Sequence, residues 1–93
     1  MSEPRITISI DEGGELNIYV NEAGRDVLVK ELLGLSHRSD HSHLGTWLGA
    51  EVEMRDIPYR PTDRIVDAAK ISLRPDEWDE QHFPHVLAGK DGV

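Results

Sequence analysis

The chain has 93 residues, no cysteine and a formal net charge of -8 at pH 7. This length allows one domain with a modest core and little room for a deep catalytic cavity. Without cysteine there is no disulfide scaffold, no thiolate zinc site and no cysteine nucleophile. The acidic charge argues against a nucleic-acid surface, which needs clustered Lys and Arg to neutralise phosphates.

Two further observations concern the location of the protein and its charge. No apolar run approaches the roughly 20 residues that span a bilayer, and the start of the chain lacks the pattern of a signal peptide. We therefore expect a cytoplasmic protein with no membrane association.

The formal charge is -4 over residues 1–36, 0 over residues 37–74 and -4 over residues 75–93. The net negative charge therefore lies at the two ends of the chain.

The first twenty residues predict a β-hairpin. Two runs of alternating apolar and polar residues flank Asp11-Glu12-Gly13-Gly14, and a period of two is typical of a strand with one buried face. Because glycine tolerates positive φ, the intervening segment favours a tight turn. The inward face is expected to carry six apolar residues: Ile6, Ile8, Ile10, Leu16, Ile18 and Val20.

The next segment predicts a helix over residues 22–34. Asn21 is a suitable N-cap, and Gly34 is a suitable end. Apolar residues recur at three- and four-residue spacings, which gives the helix one apolar stripe. Gly24 weakens its first turn, because an interior glycine costs about 1 kcal/mol relative to alanine. The stripe consists of Val27, Leu28, Leu32 and Leu35.

The rest of the chain predicts further strands and a short final helix. Residues 44–54 favour one or two short strands with a glycine bend, and residues 56–63 contain two prolines and favour a loop. Residues 64–74 favour a strand, with Ala69, Ile71 and Leu73 on one face and Val66, Ala68 and Lys70 on the other. Pro75 followed by acidic residues is typical of a helix start.

These elements predict an α+β fold, a two-layer sandwich. Its antiparallel sheet would have four to five strands and begin with the hairpin. One main helix would pack on one face, and a short helix would end the chain. The whole of 1–93 would form a single domain with an ordered core over about 5–83, while 1–4 and 88–93 would fray.

The densest group of polar residues is His37-Arg38-Ser39-Asp40-His41-Ser42-His43. Imidazole and carboxylate groups are ligands for zinc, nickel or iron, and His41 and His43 at i and i+2 on a strand would project to the same side. The spacing matches no established metal motif, however. We therefore expect no metal and no other cofactor, and retain His37, Asp40, His41 and His43 as the candidate ligands.

Aromatic and acidic residues suggest a protein interface instead. Most tryptophans in a domain this small are buried, so Trp47 is expected in the core. A partly exposed tryptophan beside acidic residues, however, is a common interface anchor. Trp78 lies among Asp76, Glu77, Asp79 and Glu80, an acidic surface that would suit a basic partner protein. Trp47, Glu77 and Trp78 therefore join Asp40, His41 and His43 as predicted partner-binding residues.

The order of these pieces resembles immunity protein family 32 of bacterial polymorphic toxin systems. The resemblance covers roughly residues 6–73 and lies in Asp11-x-x-Gly14-Glu15-Leu16-x-Ile18, the Gly24-x-x-x-Leu28-x-x-x-Leu32 helix, Asp40-His41-x-His43-Leu44-Gly45 and Lys70-Ile71. It implies a cytoplasmic antitoxin that binds a cognate toxin domain in the producing cell and has no catalysis of its own. The tail from Pro75 onward has no counterpart in this resemblance.

Two alternatives remain open at this stage. One is a small metal-binding domain or metal-dependent hydrolase that uses His37, Asp40, His41 and His43. The other is an interaction module or homodimer in which strand 65–73 or strand 5–10 pairs through its edge with another chain. The immunity hypothesis predicts that this chain has an acidic surface that masks a basic toxin, such as a nuclease.

Overall fold

The computed structural model describes residues 3–91, with side chains described as far as Ala88. This range is a mixed α+β fold of six short strands and three helices, and the predicted class is confirmed. The expected single sheet of four to five strands is replaced by two three-stranded sheets. In chain order the elements are β1 (Ile6–Ile10), β2 (Leu16–Val20), α1 (Glu22–Leu33), β3 (His41–Gly45), β4 (Val52–Glu53), β5 (Arg64–Ile65), β6 (Ala68–Ser72), α2 (Asp76–His82) and α3 (Pro84–Asp91).

The predicted hairpin is confirmed. Strands β1 and β2 pair antiparallel, with Ile8 opposite Ile18. The turn closes because the Asp11 Oδ1 atom accepts hydrogen bonds from the backbone N–H groups of Gly13 and Glu15, at 3.0 and 2.9 Å. Gly14 adopts a φ of 89°, a left-handed conformation that glycine reaches without steric cost.

Strand β1 lies in the centre of the first sheet and is hydrogen-bonded along both edges. The first sheet has the order β2-β1-β5, and the second has the order β4-β3-β6, with β3 and β4 parallel. The backbone N–H groups of Arg55 and Val66 donate to the carbonyl oxygens of Ile6 and Ile8, at 2.8 and 2.9 Å. Strand β1 therefore has partners along both of its edges, so the alternative in which strand 5–10 pairs with another chain is wrong.

The predicted strand over residues 64–74 is interrupted. Strand β5 pairs with β1, whereas β6 pairs with β3. Val66 and Asp67 lie between them and bond to different sheets: the Val66 N–H donates to the Ile8 carbonyl, and the Asp67 carbonyl accepts from the Thr46 N–H at 3.0 Å. One segment thus contributes a strand to each sheet. The alternating sequence pattern continues through both strands and therefore predicted a single long strand.

The core of the described residues consists of five buried hydrophobic side chains: Ile6, Ile8, Leu44, Val52 and Met54. Val27 and Leu28 of α1 pack against this cluster. The expectation that the β2 side chains are also buried is wrong, because Leu16 and Ile18 are each 55% exposed and Val20 is 39% exposed.

Helix α1 begins and ends as predicted. The Asn21 side-chain oxygen accepts from the backbone N–H of Gly24 at 2.7 Å, and the N–H of Gly34 donates to the Lys30 carbonyl at 3.0 Å. Gly24 is buried, and a Cβ atom there would overlap the carbonyl oxygen of Arg5. The glycine therefore allows close packing of the helix against β1. Leu32, which the stripe placed inward, is 50% exposed.

The chain ends in two short helices that pack against each other. Helix α3 reaches Asp91, so the backbone is helical over 88–91, where fraying was expected. The expectations for residues 1, 2, 92 and 93 lie outside the described range. The radius of gyration is 15.8 Å, compared with about 12 Å for a compact domain of this length. The fold is therefore more open than its size requires.

Candidate functional site

The two histidines of β3 lie side by side on the protein surface. Ser42 and Leu44 point inward and are buried, so His41 and His43 point outward, as a strand requires. Their ring centroids are 5.0 Å apart, in an edge-to-face arrangement. The prediction that these two side chains share one side of a strand is confirmed.

Each of these histidines is paired with a carboxylate. The Nδ1 atom of His41 lies 2.8 Å from Asp40 Oδ1, and the Nδ1 atom of His43 lies 3.3 Å from Glu51 Oε1. The backbone N–H of His43 also donates to Glu51 Oε1 at 2.7 Å. Glu51 was not among the predicted site residues.

Hydrogen bonds from His41 and His43 lower the pKa of both carboxyl groups. The hydrogen bond with the His41 side chain holds the pKa of Asp40 below its usual range. For Glu51, the hydrogen bond from the His43 backbone N–H is the largest cause of a lowered pKa. Both effects follow from donors that stabilise the charged form of a carboxyl group. This part of the surface therefore carries two anionic groups at neutral pH.

The geometry does not form a metal centre in the described part of the chain. No group of three or more His, Asp or Glu side chains there is arranged to hold a metal ion. His37, one of the candidate ligands, lies in an exposed bend ahead of β3. The nearest polar neighbours of His41 and His43 are carboxylates that hold the Nδ1 side of each ring.

Arg74 connects the histidines to the C-terminal helices. Its Nη1 atom lies 3.9 Å from Asp40 Oδ2, and its guanidinium group lies over the Trp78 ring, 4.5 Å from the ring centroid. The centroid of the His82 ring lies 4.2 Å from that of Trp78. We call this continuous surface the histidine–tryptophan strip, and it comprises Glu51, His43, His41, Asp40, Arg74, Trp78 and His82.

The strip unites four of the six predicted partner-binding residues: Asp40, His41, His43 and Trp78. Trp78 is half-buried, because Arg74, His82 and Phe83 surround its ring. Glu77 is exposed beside it on α2. Arg74 was missed because nothing in a single arginine at the end of a strand indicates a cation–π contact with a later helix.

Trp47 lies outside the strip, in the loop between β3 and β4. Its ring covers the backbone of Gly45, where any Cβ atom would overlap the indole. The interpretation of Trp47 as a core residue is wrong, because it remains 45% exposed. Leu48 beside it is 93% exposed.

A second polar cluster lies beside the hairpin turn. The Asp63 side chain is fully buried, and neither carboxylate oxygen has a hydrogen-bond partner. Its nearest cation is Arg60, whose Nε atom lies 3.7 Å from Asp63 Oδ2. Arg60 also donates to the Tyr19 hydroxyl at 3.2 Å, and Tyr19 stacks on Tyr59. The cluster fixes the loop that contains Tyr59 and Arg60 against one face of β2.

The opposite face of β2 borders a groove lined only by apolar side chains. The groove has a volume of about 290 Å³ and lies between β2, α1 and β6. We call it the apolar groove. Its walls include Leu16, Ile18, Leu28, Leu32, Ala69 and Ile71.

The total accessible surface confirms that the chain is open. It is 6976 Å², whereas a folded monomer of 10.5 kDa exposes about 5,400 Å². The difference of about 1,500 Å² is surface that a chain of this mass normally buries.

No protein-family model matches the chain, and no curated protein or solved structure is significantly similar to it. The resemblance to immunity protein family 32 therefore stays a prediction. No helix in the described range is long and apolar enough to cross a membrane.

Proposed function

We propose that this chain is a protein-binding domain without catalysis of its own, and that it acts as an immunity protein. It binds a cognate toxin domain of basic charge, such as a nuclease, inside the producing cell and masks the toxin's active site. The observation that carries this proposal is the histidine–tryptophan strip. The strip combines exposed carboxylates with aromatic rings on one continuous surface.

The chemistry of the strip suits protein recognition. Trp and Arg are the residues most often found at interface hot spots, and here Arg74 and Trp78 hold each other in place through a cation–π contact. Less freedom is then lost when a partner binds. The ionised Asp40 and Glu51 carboxylates, within a chain of net charge -8, favour the approach of a positively charged partner.

The proposal that the partner is a toxin domain rests on the sequence resemblance. This resemblance covers the segment around β3 that supplies Asp40, His41 and His43. The C-terminal helices lie outside the resemblance, yet Arg74 joins Trp78 of α2 to Asp40. The proposed surface therefore extends from the resembling part of the chain into its acidic tail.

Binding to the product of the adjacent gene tests the proposal. We expect co-purification at low ionic strength and an association rate that falls as salt rises, because salt screens charge steering. Trp78→Ala should weaken binding by more than about 30-fold if Trp78 is a hot spot. Leu33→Ala is the control, since Leu33 is 81% exposed and is neither in the strip nor among the predicted partner-binding residues.

Two results would contradict the proposal. If the adjacent gene product does not associate at low ionic strength, the toxin assignment fails. If Trp78→Ala weakens binding no more than Leu33→Ala does, the strip is not the binding surface, although the chain still binds its partner.

A further inference from the structure

The apolar face of β2 has no role in the proposed function, because the histidine–tryptophan strip contains neither β2 nor the groove. We propose that this face is the interface of a symmetric homodimer. Strand β2 pairs antiparallel with β2 of a second copy across a twofold axis at Ile18, and the apolar groove of each copy becomes part of the shared interface.

Among residues 3–91, no strand pairs with the outer edge of β2. In the order β2-β1-β5, β2 is an edge strand that bonds to β1 on one side only. Natural edge strands are usually blocked by Lys, Pro or a bulge. The sequence of β2 is Leu-Asn-Ile-Tyr-Val, and its pairing with β1 is unbroken over all five residues. The edge therefore carries none of these three devices against pairing.

The apolar side chains of β2 are also largely uncovered by the described part of the chain. Leu16, Ile18 and Val20 lie on one face and are between 39% and 55% exposed. Tyr19, on the other face, is stacked on Tyr59. The loop containing Tyr59 thus protects one face of the strand, and the apolar face is left open. A second copy added at the edge would extend the sheet and bring its own apolar β2 face alongside.

The strand is self-complementary in this arrangement. Pairing about Ile18 places Leu16 opposite Val20 of the partner subunit, and Glu15 opposite Asn21 of the partner subunit. Like charges directly opposite each other destabilise a sheet, and this register has none over residues 15–21. The net charge of -8 therefore does not prevent close approach at the axis itself.

The excess exposed surface of the chain is sufficient for a dimer interface. A standard interface buries about 800 Å² from each partner, which is less than the excess of about 1,500 Å² that the chain exposes. The excess is therefore large enough for one interface of this size. The strip remains available for a different protein.

The proposal predicts a salt dependence opposite to that of toxin binding. Two chains of like net charge repel at long range, and salt screens this repulsion while apolar contacts persist. Dimerisation should therefore strengthen as ionic strength rises, whereas charge-steered toxin association should slow down.

Sedimentation velocity on the full chain, from micromolar to millimolar concentration, tests the proposal. We expect a monomer–dimer equilibrium. Ile18→Lys should raise its dissociation constant by more than about 30-fold, because it places a charge at the axis. Leu48→Lys is the control, since Leu48 is 93% exposed and lies far from β2 in the sequence. It should leave the equilibrium unchanged.

A second variant keeps the test valid if Ile18→Lys does not fold. The chain has no cysteine, so Ile18→Cys introduces a single thiol. At the axis, residue 18 would face itself across the two strands at a Cα separation of about 4.5 to 5.5 Å, which a disulfide can bridge. Under oxidation Ile18→Cys should form a covalent dimer faster than Leu48→Cys does.

Three results would overturn the proposal. The first is a wild-type chain that stays monomeric at all concentrations. The second is a dimer that Ile18→Lys does not weaken. The third is a monomeric wild-type chain together with an Ile18→Lys variant that no longer binds the toxin. This result would show that the toxin, and not a second copy, occupies the apolar groove. Because toxin binding is measured separately with Trp78→Ala, failure of the dimer and failure of the immunity function are distinguishable.

Discussion

Gly24 decides how closely helix α1 approaches strand β1, and Gly24→Ala therefore tests the packing of the fold. On propensity alone, alanine in a helix interior should stabilise the chain by about 1 kcal/mol relative to glycine. The structure predicts the opposite sign. A Cβ atom at this position overlaps the carbonyl oxygen of Arg5 and lies 3.0 Å from the Ile6 Cγ1 atom.

The size of the stability loss in Gly24→Ala depends on which atoms must move to relieve the overlap. The Arg5 carbonyl belongs to the backbone, so no rotamer change relieves the overlap and the helix must shift outward. Overpacking of this kind costs about 1 to 3 kcal/mol. The shift also partly exposes Val27 and Leu28, at about 0.8 kcal/mol for each CH₂ group. After the propensity gain, we expect a net loss of about 1 to 2 kcal/mol in the free energy of unfolding.

Urea denaturation at one fixed protein concentration measures this change, because self-association would otherwise alter the apparent stability. Gly34→Ala is the control at the end of the same helix. Gly34 has a φ of -80°, and its Cβ atom would lie 3.3 Å from the Lys30 carbonyl oxygen. There we expect a change of less than about 1 kcal/mol. A Gly24→Ala protein as stable as the wild type would show that α1 does not need a glycine to pack beside Arg5.

Four further predictions concern charge and packing. Because Asp40 and Glu51 have lowered pKa values in the folded state, they contribute stability above their ordinary values of 3.8 and 4.5. The stability gap between wild type and an Asp40→Asn/Glu51→Gln variant should therefore close as pH falls below those values, and a constant gap in urea midpoint would contradict this. Because the chain carries a formal net charge of -8, association with a basic toxin should slow as ionic strength rises. Equal stopped-flow rates at low and high ionic strength would contradict charge steering. Arg60→Met leaves the buried Asp63 carboxylate without its nearest cation, so it should destabilise the chain, and adding Asp63→Asn should restore part of the loss in thermal denaturation. Leu44→Ala should lower the unfolding free energy by about 2 to 5 kcal/mol, and a loss below 1 kcal/mol would show that the core differs from the one described.

The hairpin, the main helix and the outward histidines were predictable because local patterns determine them. A period of two in β1 and β2 specified the strand faces, and Asn21 and Gly34 marked the helix ends. The pattern showed which residues share a face, but not whether the face is covered. Leu16, Ile18 and Val20 were therefore expected inside and lie exposed, because the position of α1 over β1 is a tertiary property.

The remaining errors have the same origin. The break at Val66 and Asp67 was invisible in the sequence, because the two halves of that segment pair with different sheets. Trp47 was expected in the core, yet its ring lies on Gly45. The pairing of His43 with Glu51 and of Arg74 with Trp78 depends on how loops and helices return to β3, so composition alone could not reveal the full strip.

We expect one chain to mask one toxin domain. An activity assay of a toxin domain encoded by the adjacent gene, with this protein titrated in, measures this stoichiometry. Toxin activity should fall in proportion to added chain and be abolished when the two are equimolar. Full toxin activity in the presence of excess protein at low ionic strength would contradict it.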